Sequence, residues 1–372
     1  MQSPLLTRCP PGLPRDAYVS PEWHAHEMRA IWAREWVCVG RLADLPCGTI
    51  RSLTLAGAPV ILCRTPDGAV AAYHNTCRHR GAELCASEGR IGKLITCPYH
   101  AWAYAAADGR LVATGPATPT ADFRKDDHGL YPVVTNHWNG FLFLSLNSDP
   151  GPLTPDIGLA ALDNWPMDAL VTGHRITRDL ACNWKVFWEN YNECLHCPGI
   201  HPELIDLVPV YRQGIMSAQE APDWQPGTPA TGNLKPGART WTMDGQPCGP
   251  AFPGLTPAQR RAGYTFVTLY PTMYVVAHID YVRAVRLEPT GPETTRLTAE
   301  WLFPPATLAQ PGFDAAKVAS FATLVLDQDG AAAEMNQRGL RSPAYVRATL
   351  MPQEFDIARF HQWVLHRMET TP

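Results

Sequence analysis

Two Cys-His pairs lie close together in this chain. Cys77 and His79 form C-x-H; after seventeen intervening residues Cys97 and His100 form C-x-x-H. Two thiolates and two imidazoles suit a [2Fe–2S] centre with both Cys on one iron and both His on the other. Neutral imidazoles make that second iron less electron-rich, so the cluster accepts electrons from an ordinary carrier. The competing chemistry is a Cys₂His₂ zinc site. Zinc fingers group both Cys in one half of the motif and both His in the other. Here each half carries one of each, which favours iron and sulfur over zinc or a chance cluster of buried residues.

A second constellation follows in the text NWKVFWENYNECLHCPGIHPEL. Glu193, His196 and His201 read as E-x-x-H-x₄-H. The run from about 184 to 197 is predicted helical, so Glu193 and His196 would share a face. Pro198-Gly199 would end that helix and turn His201 back. Two imidazoles and one carboxylate with open positions make the facial triad of mononuclear Fe(II) oxygenases. Core or capping histidines are the plain alternative. Spacing alone leaves the carboxylate open: Glu193 is near, while Asp327, Asp329 and Glu334 stand on a later helical stretch. Cys194 and Cys197 also form a C-x-x-C, a pattern of redox pairs and metal clips, but the histidine motif runs through the same residues.

These sites need elements to hold them. Residues 20–36 read as a helix, with Ser20 as cap and Pro21 at its first position. From Trp36 to Leu146 the text changes to short β-rich runs at 37–39, 50–55, 59–63, 70–74, 94–96 and 141–146. Turn signals such as Pro66-Asp67-Gly68 and Asp108-Gly109 divide them. Both Cys-His pairs fall in loops of this all-β module. Pro and Gly at 149–155 mark a boundary. A strand is expected at 174–180. Residues 205–263, rich in Pro and Gly, read as a long excursion, a lid or subunit-contact region. Residues 264–287 and 295–303 read as antiparallel sheet around Pro289-Thr290-Gly291-Pro292, and 312–340 and 353–369 as helices. The fold class is α+β, in three segments: an N-terminal helical segment over 1–36, packed on the catalytic domain; an all-β cluster domain over 37–150; and a catalytic domain over 151–372.

Composition narrows the partners. A chain of 372 residues has room for more than one domain, and a net charge of −4 points to neither nucleic acid nor an acidic membrane. No stretch nears about eighteen apolar residues in succession, and residues 1–14 do not read as an export signal, so no membrane span is expected and the cytoplasm is. The eleven cysteines are then expected as free thiols.

Cys77-Arg78-His79-Arg80-Gly81 and Cys97-Pro98-Tyr99-His100-Ala101-Trp102 together resemble the Rieske signature. The whole chain resembles the α subunit of Rieske non-haem iron oxygenases, the aromatic-ring-hydroxylating family. That resemblance implies a catalytic domain of helix-grip type, an antiparallel sheet wrapped around helices. It implies Cys77, His79, Cys97 and His100 as cluster ligands, and His196 and His201 on the mononuclear iron. The text Asp329-Gly330-Ala331-Ala332-Ala333-Glu334-Met335 is similar to the family's late helix, which makes Asp329 the third iron ligand. Glu193 then becomes the bridge that carries an electron from the cluster of one subunit to the iron of the next, in a homotrimer. NAD(P)H electrons arrive through a separate flavin reductase or ferredoxin; no G-x-G-x-x-G marks a dinucleotide site here.

Glu193, where many ring dihydroxylases carry Asp, and the text NECLHCPGIHPEL resemble the glycine betaine, carnitine and stachydrine branch. The function implied is hydroxylation or oxidative N-demethylation of a small quaternary ammonium substrate with O₂. Hydroxylation or dihydroxylation of an aromatic ring or aromatic acid is the alternative, and electron transfer alone a second one. Trp188, Tyr191, Tyr264 and Phe266, with Tyr270, Tyr274, Tyr281 and Trp301, could cage a cation or simply pack the core. His278 and Asp280, on alternate strand positions, could line the pocket. Arg283 or Arg286 could meet a substrate carboxylate or sit in an ion pair.

Overall fold

The computed structural model describes residues 3–153, 159–221 and 234–370. Two compact units emerge. One spans Met28–Leu153; the other joins the residues through Glu27 with those after Leu153.

The first unit is built from antiparallel strands. Seven form a sheet in the order Val37–Arg41, Phe141–Ser145, Pro132–Trp138, Val70–His74, Ala58–Arg64, Thr49–Leu55, Glu88–Arg90. Three more, Leu94–Thr96, Trp102–Ala105 and Leu111–Thr114, form a small sheet. Glu88–Arg90, Pro132–Trp138, Trp102–Ala105 and Leu111–Thr114 escaped the sequence reading, because Gly, Pro and Ala dilute their β-branched signal. Between the sheets lies a core of Ile61, Tyr73, Ile95, Trp102 and Tyr104, and Cys77 and Cys97 are part of it.

In the second unit five antiparallel strands run in the order Val171–Leu180, Thr294–Phe303, Val282–Gly291, Met273–His278, Tyr264–Leu269. The hairpin turn falls at Pro292-Glu293, one step beyond the Pro289–Pro292 expectation, since the strand runs on to Gly291. The long helix Ala315–Leu340, capped by Asp314 on the N–H groups of Ala316 and Lys317, packs on the strand Val171–Leu180 and on the helix Trp184–Tyr191.

The N-terminal helix differs from its expectation. Ser20 accepts the N–H of Trp23 as a cap, but regular helix covers only Pro21–Glu27 and gives way to a π-helical turn, Met28–Trp32. The last regular residue, Glu27, is a buried anchor. Its carboxylate accepts from the indoles of Trp23 and Trp184 and pairs with Lys185 Nζ at 2.6 Å, both side chains fully buried. Lys185→Met should therefore destabilise the protein by roughly 3–5 kcal/mol in urea unfolding, because it strands a buried carboxylate. The double variant Glu27→Leu/Lys185→Met should recover most of that loss.

Candidate metal centres

The two Cys-His loops share one backbone design. In the first, Gly81 N–H donates to Cys77 O and Cys77 N–H to Ala82 O; in the second, Ala101 N–H donates to Cys97 O and Cys97 N–H to Trp102 O. The fifth residue of each turn is left-handed: Gly81 at φ +76° and Ala101 at φ +56°. The loops are thus the same tight turn written twice. Gly115 packs beside the second, where a Cβ would stand 2.2 Å from His100 O.

This places both thiols inward and both imidazoles outward. Cys77 and Cys97 are buried, His79 is exposed and His100 half-buried. The imidazole rings lie 4.8 Å apart, and His79 stacks on Trp102 at 4.8 Å. Two buried thiols facing two solvent-side imidazoles fit a Cys₂His₂ [2Fe–2S] cluster. The Tyr104 hydroxyl lies 3.1 Å from Cys77 Sγ and accepts the N–H of Arg78 at 3.0 Å. A thiolate bound to the cluster has no proton to give, so the hydroxyl would donate to it and withdraw charge from the sulfur. Tyr104→Phe should shift the cluster to a more negative potential with its absorption spectrum intact, measurable by spectroelectrochemistry.

The second site departs locally from the sequence reading. The helix stops at Tyr191, with Asn192 as its cap, so Glu193 and His196 do not share a helix. The Glu193 carboxylate accepts the backbone N–H groups of Leu195 and His196, a local bond that competes with helix continuation. Pro198 opens a short helical turn, Cys197–Ile200, and does not end one; a first-turn proline loses no intrahelical bond. Cys194 and Cys197 are joined in a disulfide with their Cα atoms 5.0 Å apart, within the range such a bond spans. The expectation of free thiols fails for these two, since the turn between them closes the distance.

His196, His201 and Asp329 converge. His201 Nε2 is 2.9 Å from Asp329 Oδ1 and 3.2 Å from His196 Nε2, and His196 Nε2 is 3.5 Å from Asp329 Oδ1. Cis ligands about 2.1 Å from a metal stand about 3 Å apart, so this triangle has the size of one face of a coordination sphere. The other ring nitrogens are engaged. His196 Nδ1 is 2.5 Å from Glu193 Oε1, and His201 Nδ1 is 2.8 Å from Gln328 Oε1. Both oxygens accept, which puts the proton on Nδ1 and turns each Nε2 lone pair to the shared centre. Asn190 Nδ2 donates to Asp329 Oδ1 at 2.7 Å. Burial pushes the Asp329 carboxyl up, but the two histidines outweigh it and hold it well below the usual carboxylate range. The carboxylate stays ionised, as a ferrous ligand must. Asp327 is drawn off by Arg178, and Glu334 accepts the N–H of Ala181. Asn190 and Gln328 escaped the sequence reading; the one available signal was that each is a neutral amide near the motif residues.

A cleft opens on this triad. Its walls carry Tyr191, Tyr264, Phe266 and Tyr274, together with Tyr211 and Trp241 from the long excursion, which the sequence reading missed. Residues 222–233 of that excursion lie outside the described residues. Trp188, Tyr270, Tyr281 and Trp301 are not among the lining residues. Nor are His278 and Asp280: Asp280 accepts from Thr240 and from the N–H of Cys248 instead. Arg283 lines the cleft, whereas Arg286 lies 3.7 Å from the buried Glu300.

Residues 167–370 match the family described as the ring hydroxylating alpha subunit (catalytic domain), and residues 35–130 match the Rieske [2Fe-2S] domain. The chain is 32% identical to the glycine betaine monooxygenase oxygenase subunit of Chromohalobacter salexigens, over 95% of this chain and 84% of that one. It is 33% identical to the carnitine monooxygenase oxygenase subunit of Escherichia coli, over 54% of each. A solved quaternary ammonium Rieske monooxygenase in complex with L-carnitine superposes with a TM-score of 0.71 over 97% of this chain and 96% of that one. At 21% identity that likeness speaks for the fold. Among the described residues no helix is long and apolar enough to cross a membrane. With both domains matched in order and a relative aligned nearly end to end, the chain belongs to the Rieske-type ring-hydroxylating oxygenase alpha subunits, oxidoreductases that carry a Rieske cluster and a mononuclear iron and take electrons from a separate reductase.

Proposed function

We propose that this oxygenase hydroxylates a carbon bonded to the nitrogen of a small quaternary ammonium compound. The observation that carries the reading is the aromatic cleft opening directly on the triad. Tyrosine, tryptophan and phenylalanine faces attract a cation that cannot donate hydrogen bonds. The names of the relatives point the same way.

In this reading Cys77, His79, Cys97 and His100 hold the cluster, and His196, His201 and Asp329 hold the iron. When bound, the cluster supplies single electrons and the ferrous ion activates dioxygen. The chain's own residues do the rest. The aromatic walls hold the ammonium group and exclude water, Glu193 and Gln328 fix the two imidazole tautomers, and Asp329 supplies the balancing negative charge. One oxygen atom enters the C–H bond; the other leaves as water, with two electrons and two protons consumed. The C–N bond of the hydroxylated carbon then breaks. Its electron pair stays on nitrogen, which takes the hydroxyl proton, and the carbon leaves as an aldehyde, formaldehyde where it was an N-methyl group.

Glu193 is also the electron bridge between subunits of a homotrimer, linking His196 of one chain to a cluster histidine of the next. Electrons start from NAD(P)H in the cytoplasm and pass through a flavin reductase or ferredoxin. Nitric oxide on the reduced protein gives a ferrous–nitrosyl EPR signal, and glycine betaine or L-carnitine should perturb it. Turnover with reductase should release an aldehyde and the dealkylated amine in equal amounts. A signal moved only by aromatic acids would replace this reading with ring or side-chain hydroxylation.

A further inference from the structure

We propose that Arg283 anchors a substrate carboxylate, so that the cleft selects a zwitterion: a quaternary ammonium group and an acid on one small molecule. The proposal rests on the quaternary ammonium reading above and narrows it.

Arg283 stands on the strand Val282–Gly291, opposite Val276 on one neighbour and Trp301 on the other. Val276 is opposite Phe266 in turn. Directly opposed residues share a sheet face, so Arg283 shares its face with Phe266 and Val276, and all three line the cleft. Arg283 is only 4% exposed. Its Nε and Nη1 are buried, with no hydrogen-bond partner among the described residues. The guanidinium has the ring of Trp241 as an aromatic companion, 5.7 Å from Cζ. Nearby guanidinium groups on the sheet are provided for: Arg175 bonds Glu300, and Arg286 lies beside it.

A buried cation without a counter-ion is unfavourable unless something else brings the charge. A guanidinium offers its face to an aromatic ring and its edge to a carboxylate. With Trp241 beside it, Arg283 is half of such a site and, among the described residues, lacks only the anion. Tyr274 stands two residues from Val276, the strand partner of Arg283, and lines the same cleft as Arg283 and Asp329, so the anchor and the metal donors share an aromatic wall. A molecule held by its acid at Arg283 would lay its ammonium group on that surface, its N-bound carbons toward the triad. The same unpaired charge repels a cation that carries no acid, a penalty that excludes the wrong ligand as much as it favours the right one.

The test is ligand binding to the holoenzyme, read by calorimetry. Glycine betaine and L-carnitine are compared with choline, which has the same trimethylammonium group but a hydroxyl in place of the acid. Wild type should bind glycine betaine roughly 30-fold or more tighter than choline. Arg283→Gln should lose that preference through weaker betaine binding, with choline unchanged or tighter, and Arg283→Lys should restore part of it. The Rieske spectrum should persist in each. Thermal unfolding separates an anchor from a structural arginine: removing an unpaired buried charge in Arg283→Met should leave the midpoint unchanged or raise it. A lowered midpoint together with an intact betaine preference would overturn the proposal. Equal binding of choline and glycine betaine by wild type would overturn the carboxylate anchor and leave the ammonium reading standing. Binding of benzoate but of no quaternary ammonium compound, abolished in Arg283→Gln, would overturn the zwitterion and the ammonium reading with it.

Discussion

Replacing Asp329 with alanine is expected to strip the protein of mononuclear iron while leaving the Rieske cluster in place. Iron analysis should fall from three per chain to two, and oxygenation should cease. Asp329 is the only anionic donor of the triad, so its loss leaves two neutral imidazoles facing each other at 3.2 Å. Two imidazoles alone are a poor site for a hard ferrous ion, which favours a carboxylate. Ferrous affinity should drop by at least about 100-fold, beyond what loss of an outer hydrogen-bond partner produces. Asp329→Asn keeps the shape, and Asn190 could still donate to it, but it lacks the charge; it should behave nearly as badly. The cluster absorption is the control, since Cys77 and Cys97 belong to a separate core. An alanine variant that retains three irons and turns over would remove Asp329 from the site.

Glu193 should divide electron transfer from metal binding. Glu193→Ala is expected to keep the Rieske spectrum and iron at saturating ferrous concentration, yet show little turnover. Its carboxylate holds His196 Nδ1 and two backbone N–H groups, so alanine also loosens the imidazole. Glu193→Gln is the cleaner probe. The amide oxygen can still accept from Nδ1–H, so iron affinity should hold, while the charge that the proposed bridge from His196 to a neighbouring subunit's cluster requires is gone. Turnover should then fall roughly 10–100-fold or more. The readout is rapid mixing of the reduced, substrate-bound protein with oxygen. The cluster should stay reduced in the variant and oxidise promptly in the wild type. Prompt oxidation in both would leave Glu193 as a support for His196 and nothing more.

Some of this was legible in the sequence for a physical reason. The cluster loops are local objects. Each closes on itself within six residues through the same two backbone hydrogen bonds, so ligand type and spacing carry the whole pattern. The period-two text of 264–303 marked the sheet in the same way, since alternation is a property of the strand itself. The two late helices appear at Ala315–Leu340 and Phe355–Glu369, close to their expected ranges.

What the sequence left open depends on where elements meet. Glu193 and Asp329 were equal carboxylates on paper, told apart only by resemblance. The packing of the long helix on Trp184–Tyr191 brings Asp329 to His201 across 128 positions, and it brings Gln328 to the far side of the same imidazole. The end of the helix at Tyr191 follows from a side chain reaching back to its own backbone, and the bond between Cys194 and Cys197 from the turn that brings them together; periodicity registers neither. Arg283 and Arg286 likewise read alike as text. Only the folded sheet gives Arg286 a carboxylate neighbour and turns Arg283, which has none among the described residues, into the cleft, because a charge's partner is decided by the element packed opposite it.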